Sequence, residues 1–423
     1  MRRGVIVVVI ALLVAVACGG SGTEVRVLVA GDPEELAAYR ELVAAFHASQ
    51  DGVRVRLEEV TDRDELLARL ATSIASGRPP DVFLLNYRYV GRFVTSDTIV
   101  PLDGYLAASA VLDPEAFFDT PLEAFRFEGR QMCLPQNAAS LVVYFNADLF
   151  EEAGVATPRG AWTWDEMVEA ATALTRDTDG DGAVDVYGLG VEPELLRVAP
   201  VIWSNGGELV DDAERPTRLA VRSTAALGAL RRFLELRKVH EVTPPELDAE
   251  SEPAEARFTS GRLAMLMDSR RVVPTLRAAA TFDWDVAPLP TLREPATVLH
   301  ADGYCLTSGS ERADDAWRFL EFALGPQGQR VTALAGRTVP SLEQVARSDA
   351  FLDPAEPPRS SQVFLDQLDV ARQVPATAAW PRVEDAANAV LEEAYYEPGR
   401  VEAAEVALAL LQATRGAFAE VAG

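Results

Sequence analysis

Asp177, Asp179, Asp181 and Asp185 alternate with small residues in the stretch DTDGDGAVDVYG, and Gly182 stands where a tight turn needs a residue without a Cβ. Carboxylates at the first, third, fifth and ninth places of a twelve-residue loop, with the Ala183 carbonyl at the seventh, are the oxygen donors of an EF-hand calcium loop. The twelfth place, normally a bidentate glutamate, is Gly188. A helix enters the loop and no clear helix leaves it. The stretch is therefore not a switching EF-hand, and two readings stay open: a structural calcium site and a solvated Asp/Gly turn.

Other catalytic chemistry is sparse. His47, His240 and His300 are widely spaced, and no H-E-x-x-H, G-x-S-x-G or G-x-x-x-x-G-K occurs. The turn after the first strand reads AGDPEE, without a dinucleotide fingerprint. Carboxylate pairs abound, but 65 acidic against 39 basic residues makes them expected, so none is singled out for glycosidase work. The net charge of −26 opposes nucleic acid and anionic lipid as partners. Among the basic residues only Lys238 is a lysine.

The N-terminus MRRGVIVVVIALLVAVAC has a basic start, a short apolar run and a small-residue exit at Cys18. That is an export signal, too short to span a membrane. Its AVAC ending resembles the bacterial lipobox, which makes residues 1–17 a removed signal, Cys18 a lipidated first residue and 18–23 a flexible tether. The body is then exported and anchored, without crossing the membrane. Cys133 and Cys305 remain, in an oxidising compartment where they either bridge or stay as two buried thiols.

The elements that must position any site alternate from residue 24. EVRVLVA, VRVRLEEV and DVFLLN read as strands, separated by amphipathic helices over PEELAAYRELVAAFHAS and DRDELLARLATSIASG. This order predicts a parallel sheet with helices on both faces. SLVVYFN, RLAMLMD, DWDVAPLP and TVLHADGYCL read as later strands, and Thr163 with Glu166 forms a capping box before WDEMVEAATAL. From Arg312 onward the chain reads as mainly helical.

SGRPPDVFLLN, EGRQMCLPQNAASLVVYFNADLFEEAGV, TWDEMVEAATALTRDTDGDGAVDVYGLG, IWSNGGELVDD, FTSGRLAMLMDS, FDWDVAPLP and DDAWRFLEFALGPQGQ follow in the order seen in the extracellular solute-binding proteins of ABC importers. The chain resembles their maltose-binding-like, carbohydrate-type branch over nearly its whole length. The resemblance implies a two-lobed α/β fold of the periplasmic-binding-protein type II, with hinge strands between the lobes and a helical C-terminal part. Lobe one would take 24–134 and 307–349, and lobe two 137–302 and 352–423. It implies a non-enzymatic monomer that closes on a sugar or oligosaccharide and hands it to a permease driven by a separate ATPase. No cofactor is required, and structural calcium stays open.

Matching the family's pattern assigns the ligand to Asp32, Asn86, Tyr87, Arg88, Gln136, Asn137, Trp203, Asn205, Asp268, Ser269, Arg270, Asp302, Tyr304 and Trp380. Amides and carboxylates suit sugar hydroxyls, and indole faces suit sugar rings. Arg270 and Arg271 at a helix start also admit an anionic ligand. The same layout makes Cys133 and Cys305 neighbours on hinge strands and hence a disulfide. Two other classes remain as alternatives: a lipid-anchored glycan hydrolase, which needs a paired carboxylate site, and a calcium-stabilised surface adhesion protein, which needs no cleft.

Overall fold

A computed structural model describes residues 23–399 and 402–419. The signal segment, Cys18 and most of the tether therefore lie outside the described residues. Within them, no helix is long and apolar enough to cross a membrane.

The strands Thr23–Ala30, Val53–Val60 and Val82–Asn86 pair in parallel, with the first in the middle. Each reaches the next through a helix, Pro33–Ser49 or Arg63–Ala75, as the alternating pattern predicts. Both helices start on an aspartate whose side chain accepts a backbone N–H: Asp32 from Glu35 and Asp62 from Glu65, each at 2.8 Å. Pro33 fits the first helical turn because that turn lacks intrahelical acceptors for its N–H groups. Gly77 follows the second helix at φ +68°, the left-handed stop that glycine adopts without a Cβ clash.

The sheet then gains two antiparallel strands from far along the chain. Asp302–Leu306 pairs with Val82–Asn86, and Cys133–Pro135 pairs with Asp302–Leu306. Residues 303–306, which the expected boundaries gave to neither lobe, thus complete the first sheet. In that register Cys305 lies opposite Cys133, and the two are joined by a disulfide with Cα atoms 4.4 Å apart.

A second, antiparallel sheet joins Trp284–Ala287, Val142–Asn146 and Met265–Asp268. A third, small sheet of Ala371–Arg372, Thr297–His300 and Ala139–Ser140 lies where the chain passes between the two bodies. One core, with Leu42, Phe46, Phe319 and Leu320, packs helices Pro33–Ser49 and Ala313–Leu324 onto the first sheet. Another, with Tyr144, Phe258, Phe351 and Phe364, fills one face of the second sheet. Burying each such side chain contributes about 1.5–3 kcal/mol. Trp164–Leu174 opens with the capping box of Thr163 and Glu166 read from the sequence. The helices Trp380–Tyr396 and Ala403–Ala419 pack on each other and on Thr224–Lys238.

Candidate functional site

The parallel strands end at Ala30, Val60 and Asn86, and the loops after all three face one cavity of about 340 Å³. Its other walls are the crossing at Asn137, Ala139 and His300, the end of the second sheet at Ser269 and Arg271, and the segment Arg337–Thr338. Strand carboxyl ends open onto the loops, so a crevice at their edge collects polar loop groups from separate elements.

Of the fourteen residues assigned from the sequence, Asp32, Asn86, Arg88, Asn137, Ser269 and Asp302 line this cavity. Asn137 clamps two crossings together. Its Nδ2 donates to Asp302 Oδ2 at 3.0 Å, and its Oδ1 accepts from the Asp302 N–H at 3.1 Å. Arg88 is buried, with its Nε donating to Asn86 Oδ1 at 3.0 Å and its Nη1 paired with Glu384. Burial opposes the guanidinium charge, but Glu384 outweighs it and holds Arg88 above its ordinary value.

The other eight do not line the cavity. Tyr87 turns into the core, and its hydroxyl accepts from the Val374 N–H at 3.1 Å. Gln136 is buried and supports Asn137, whose Nδ2 donates to its Oε1 at 3.0 Å. Trp203 is buried beneath Arg372, 4.9 Å from the ring. Asn205 caps its helix and donates to the Ala225 carbonyl at 2.7 Å. Tyr304 packs edge-on to Phe319 below the first sheet. Trp380 is fully buried and donates its indole N–H to Glu384. Tyr87, Trp203 and Tyr304 meet partners from other segments, and Trp380 bonds Glu384 one turn along its own helix; local spacing does not reveal that each is buried.

Arg270 and Arg271 divide. Arg270 is 1% exposed, its guanidinium 4.2 Å from the Phe351 ring and 5.0 Å from Phe364, and burial pushes it down to about 9. Arg271 lines the cavity but is held by Asp268 at 2.6 Å and Glu255 at 2.7 Å. Asp268 is thus a buried support one residue behind the wall. Neither arginine is a free anion receptor, so the anionic alternative loses its basis.

Residues not assigned from the sequence complete the site: Glu35, Tyr39, Asp62, Arg63, Tyr89, His300 and Arg337 among them. The strand-end rule would have found Asp62 and Arg63, because the second strand ends beside them. No local signal marks Arg337, which arrives from 305 residues beyond Asp32. It pairs with Asp32, with Glu35 at 2.9 Å, and donates to the Arg271 carbonyl at 3.1 Å, tying the first sheet's edge to the second sheet's end. Burial pushes the Glu35 carboxyl up, while Arg337 and the Tyr39 hydroxyl, donating at 2.7 Å, pull it down. His300 is held well below its ordinary value by burial and by Arg88, Arg197 and Arg271, so its imidazole is neutral.

Removing the positive partner leaves Glu35 buried beside Asp32 and Asp302. Arg337→Met is expected to lose about 2–3 kcal/mol at pH 8. A carboxylate with a raised folded pKa carries its cost above that pKa and sheds it as the proton binds. The deficit against wild type should therefore shrink as pH falls toward 5, as read by urea unfolding at each pH. A deficit independent of pH would show that Glu35 is not the strained group.

In the acidic loop, carboxylate oxygens of Asp177, Asp179 and Asp185 lie within 4.8 Å of one another. Asp177 accepts the N–H groups of Gly180 and Gly182, and these bonds hold its carboxyl below the usual range. Asp181 turns instead to the Ala183 N–H at 2.7 Å. Three of the four expected side chains thus converge.

Residues 30–330 match the family described as bacterial extracellular solute-binding protein. A binding protein of Brucella abortus is 23% identical over 399 residues, covering 92% of this chain and 93% of its own length. A substrate-binding protein from Listeria monocytogenes, solved with cycloalternan, superposes with a TM-score of 0.84 at 22% identity, covering 94% of this chain and 99% of that one. A maltose/maltodextrin-binding domain from Bdellovibrio bacteriovorus, solved with maltotriose, gives 0.76 at 21% identity, covering 95% and 100%.

Proposed function

Because the chain belongs to the bacterial extracellular solute-binding proteins, we propose that it captures a sugar or short oligosaccharide by closing its two lobes around it. The observation that carries this reading is the cavity of about 340 Å³, lined by polar side chains from both sheets and their crossings. Amides, carboxylates and guanidiniums suit hydroxyl groups, and the cycloalternan and maltotriose complexes of the similar proteins support a sugar. The ligand contacts are Asp32, Asn86, Arg88, Asn137, Ser269 and Asp302, joined by Glu35, Asp62, His300, Arg271 and Arg337. Tyr39 and Tyr89 are the aromatic lining and both are largely buried, so recognition rests on hydrogen bonds more than on ring stacking.

The lobes are 24–134 with 302–349, and 137–300 with 352–423. Ligand shifts their open–closed equilibrium by its extra affinity for the closed form. The closed monomer is delivered to a permease powered by a separate ATPase, and Cys18 lipidation keeps the protein on the outer side of the membrane. The acidic loop holds structural calcium through Asp177, Asp179 and Asp185, whose carboxylate oxygens already converge.

A thermal-shift screen tests these points together. A cognate neutral sugar at a hundred times its Kd should raise Tm by about 5 °C. A chelator should lower Tm by about 2 °C or more, reversed by calcium. Turnover of the sugar would favour a hydrolase, and an unmoved Tm with every sugar would remove the capture reading.

A further inference from the structure

We infer that the end of the cleft formed by Asp32, Glu35 and Asp302 receives the ammonium group of an aminated sugar. The inference rests on the sugar-capture reading and narrows its ligand.

Every guanidinium in the cleft is already taken. Arg337 holds Asp32 and Glu35, Arg88 holds Glu384, Arg271 holds Asp268 and Glu255, and Arg63 lies 3.2 Å from Asp64. The guanidinium charges of the wall are therefore met by carboxylates. The carboxylate charges are not all met. At the Asp32 end three carboxylates face one guanidinium, and Asp32 and Asp302 are close enough to Glu35 to push its carboxyl up alongside burial. Asp302 uses one oxygen, Oδ2, on Asn137, and its Oδ1 has no protein partner among the described residues. His300 lines the same cavity, and its buried Nε2 has no hydrogen-bond partner among the described residues. Its neutral ring offers one acceptor nitrogen in either tautomer. A ligand that matches these vacancies brings more donors than acceptors and a positive charge. An ammonium brings three N–H donors and no acceptor, whereas a carboxylate or phosphate would meet unpaired negative charge. A hydroxyl supplies one donor and leaves the charge excess in place.

Calorimetry at pH 6, where a sugar amine is protonated, compares a glucosamine disaccharide with its N-acetylated form and with an unmodified neutral disaccharide. The free amine should bind at least about tenfold tighter than either. Asp302→Asn keeps an acceptor for Asn137 and removes the charge. It should cut that preference, read as the ratio of free-amine to neutral-sugar affinity in the same variant, below about threefold. Glu35→Gln, which leaves Arg337 paired with Asp32, should narrow the preference in the same direction. Equal or tighter binding of the neutral or acetylated sugar overturns this inference alone. A preference that survives both substitutions overturns the assignment to this end of the cleft. No binding by any sugar overturns the capture reading and this inference with it.

Discussion

Arg88→Ala is expected to cost about 3–5 kcal/mol of stability, the effect of leaving one member of a buried ion pair alone. Glu384 is 6% exposed, and its remaining neighbour is the Trp380 indole N–H at 3.0 Å. One neutral donor does not compensate a buried carboxylate. The partners lie 296 residues apart, and together they join the loop after the third strand to the helix Trp380–Tyr396. The Tyr87 hydroxyl and the Gly91 backbone make the same junction. A Cβ on Gly91 would come within 2.0 Å of the Ala376 carbonyl oxygen. Chemical denaturation of Arg88→Ala, Glu384→Ala and the double variant checks the argument. The double variant should recover more than half of the single loss, because it leaves no charge unpaired. Equal, additive losses would mean that packing rather than charge sets the cost.

Loss of the disulfide is the second large effect. Cys133 and Cys305 are both fully buried and close a loop with a sequence separation of 172. Chain-entropy arithmetic for a loop of that length gives about 5 kcal/mol, near the top of the measured range. At about 2 °C per kcal/mol in a protein of this size, the Cys133→Ala/Cys305→Ala double variant should melt about 10 °C lower. Because the bridge joins two strands of one sheet, it restrains the crossings without fixing the angle between the lobes. Sugar affinity in the variant should therefore stay within about threefold of wild type at 25 °C. An unchanged melting temperature would mean that the pairing contributes nothing once the sheet has formed, and a lost affinity would place the bridge in the closure itself.

The sequence alone determined what is local. Alternation in EVRVLVA, the helical spacing of Leu36, Tyr39, Leu42 and Phe46, and the caps at Asp32, Asp62 and Thr163 are interactions within a few residues. The family's pattern assigned Asp32, Asn86 and Arg88, and they reach the cleft because a parallel sheet places its carboxyl ends on one edge. Order along the whole chain carried the family. Only the tertiary structure decided which way each side chain faces. Arg270 and Arg271 are adjacent and equally charged, yet one packs against the rings of Phe351 and Phe364 and the other meets the cavity. Trp203 and Trp380 carry no mark that separates a ligand platform from a core residue, and packing put both in the core. Arg337 reached the site from a remote helical region. Burial is settled by the element that happens to cover a residue, and that element comes from hundreds of positions away.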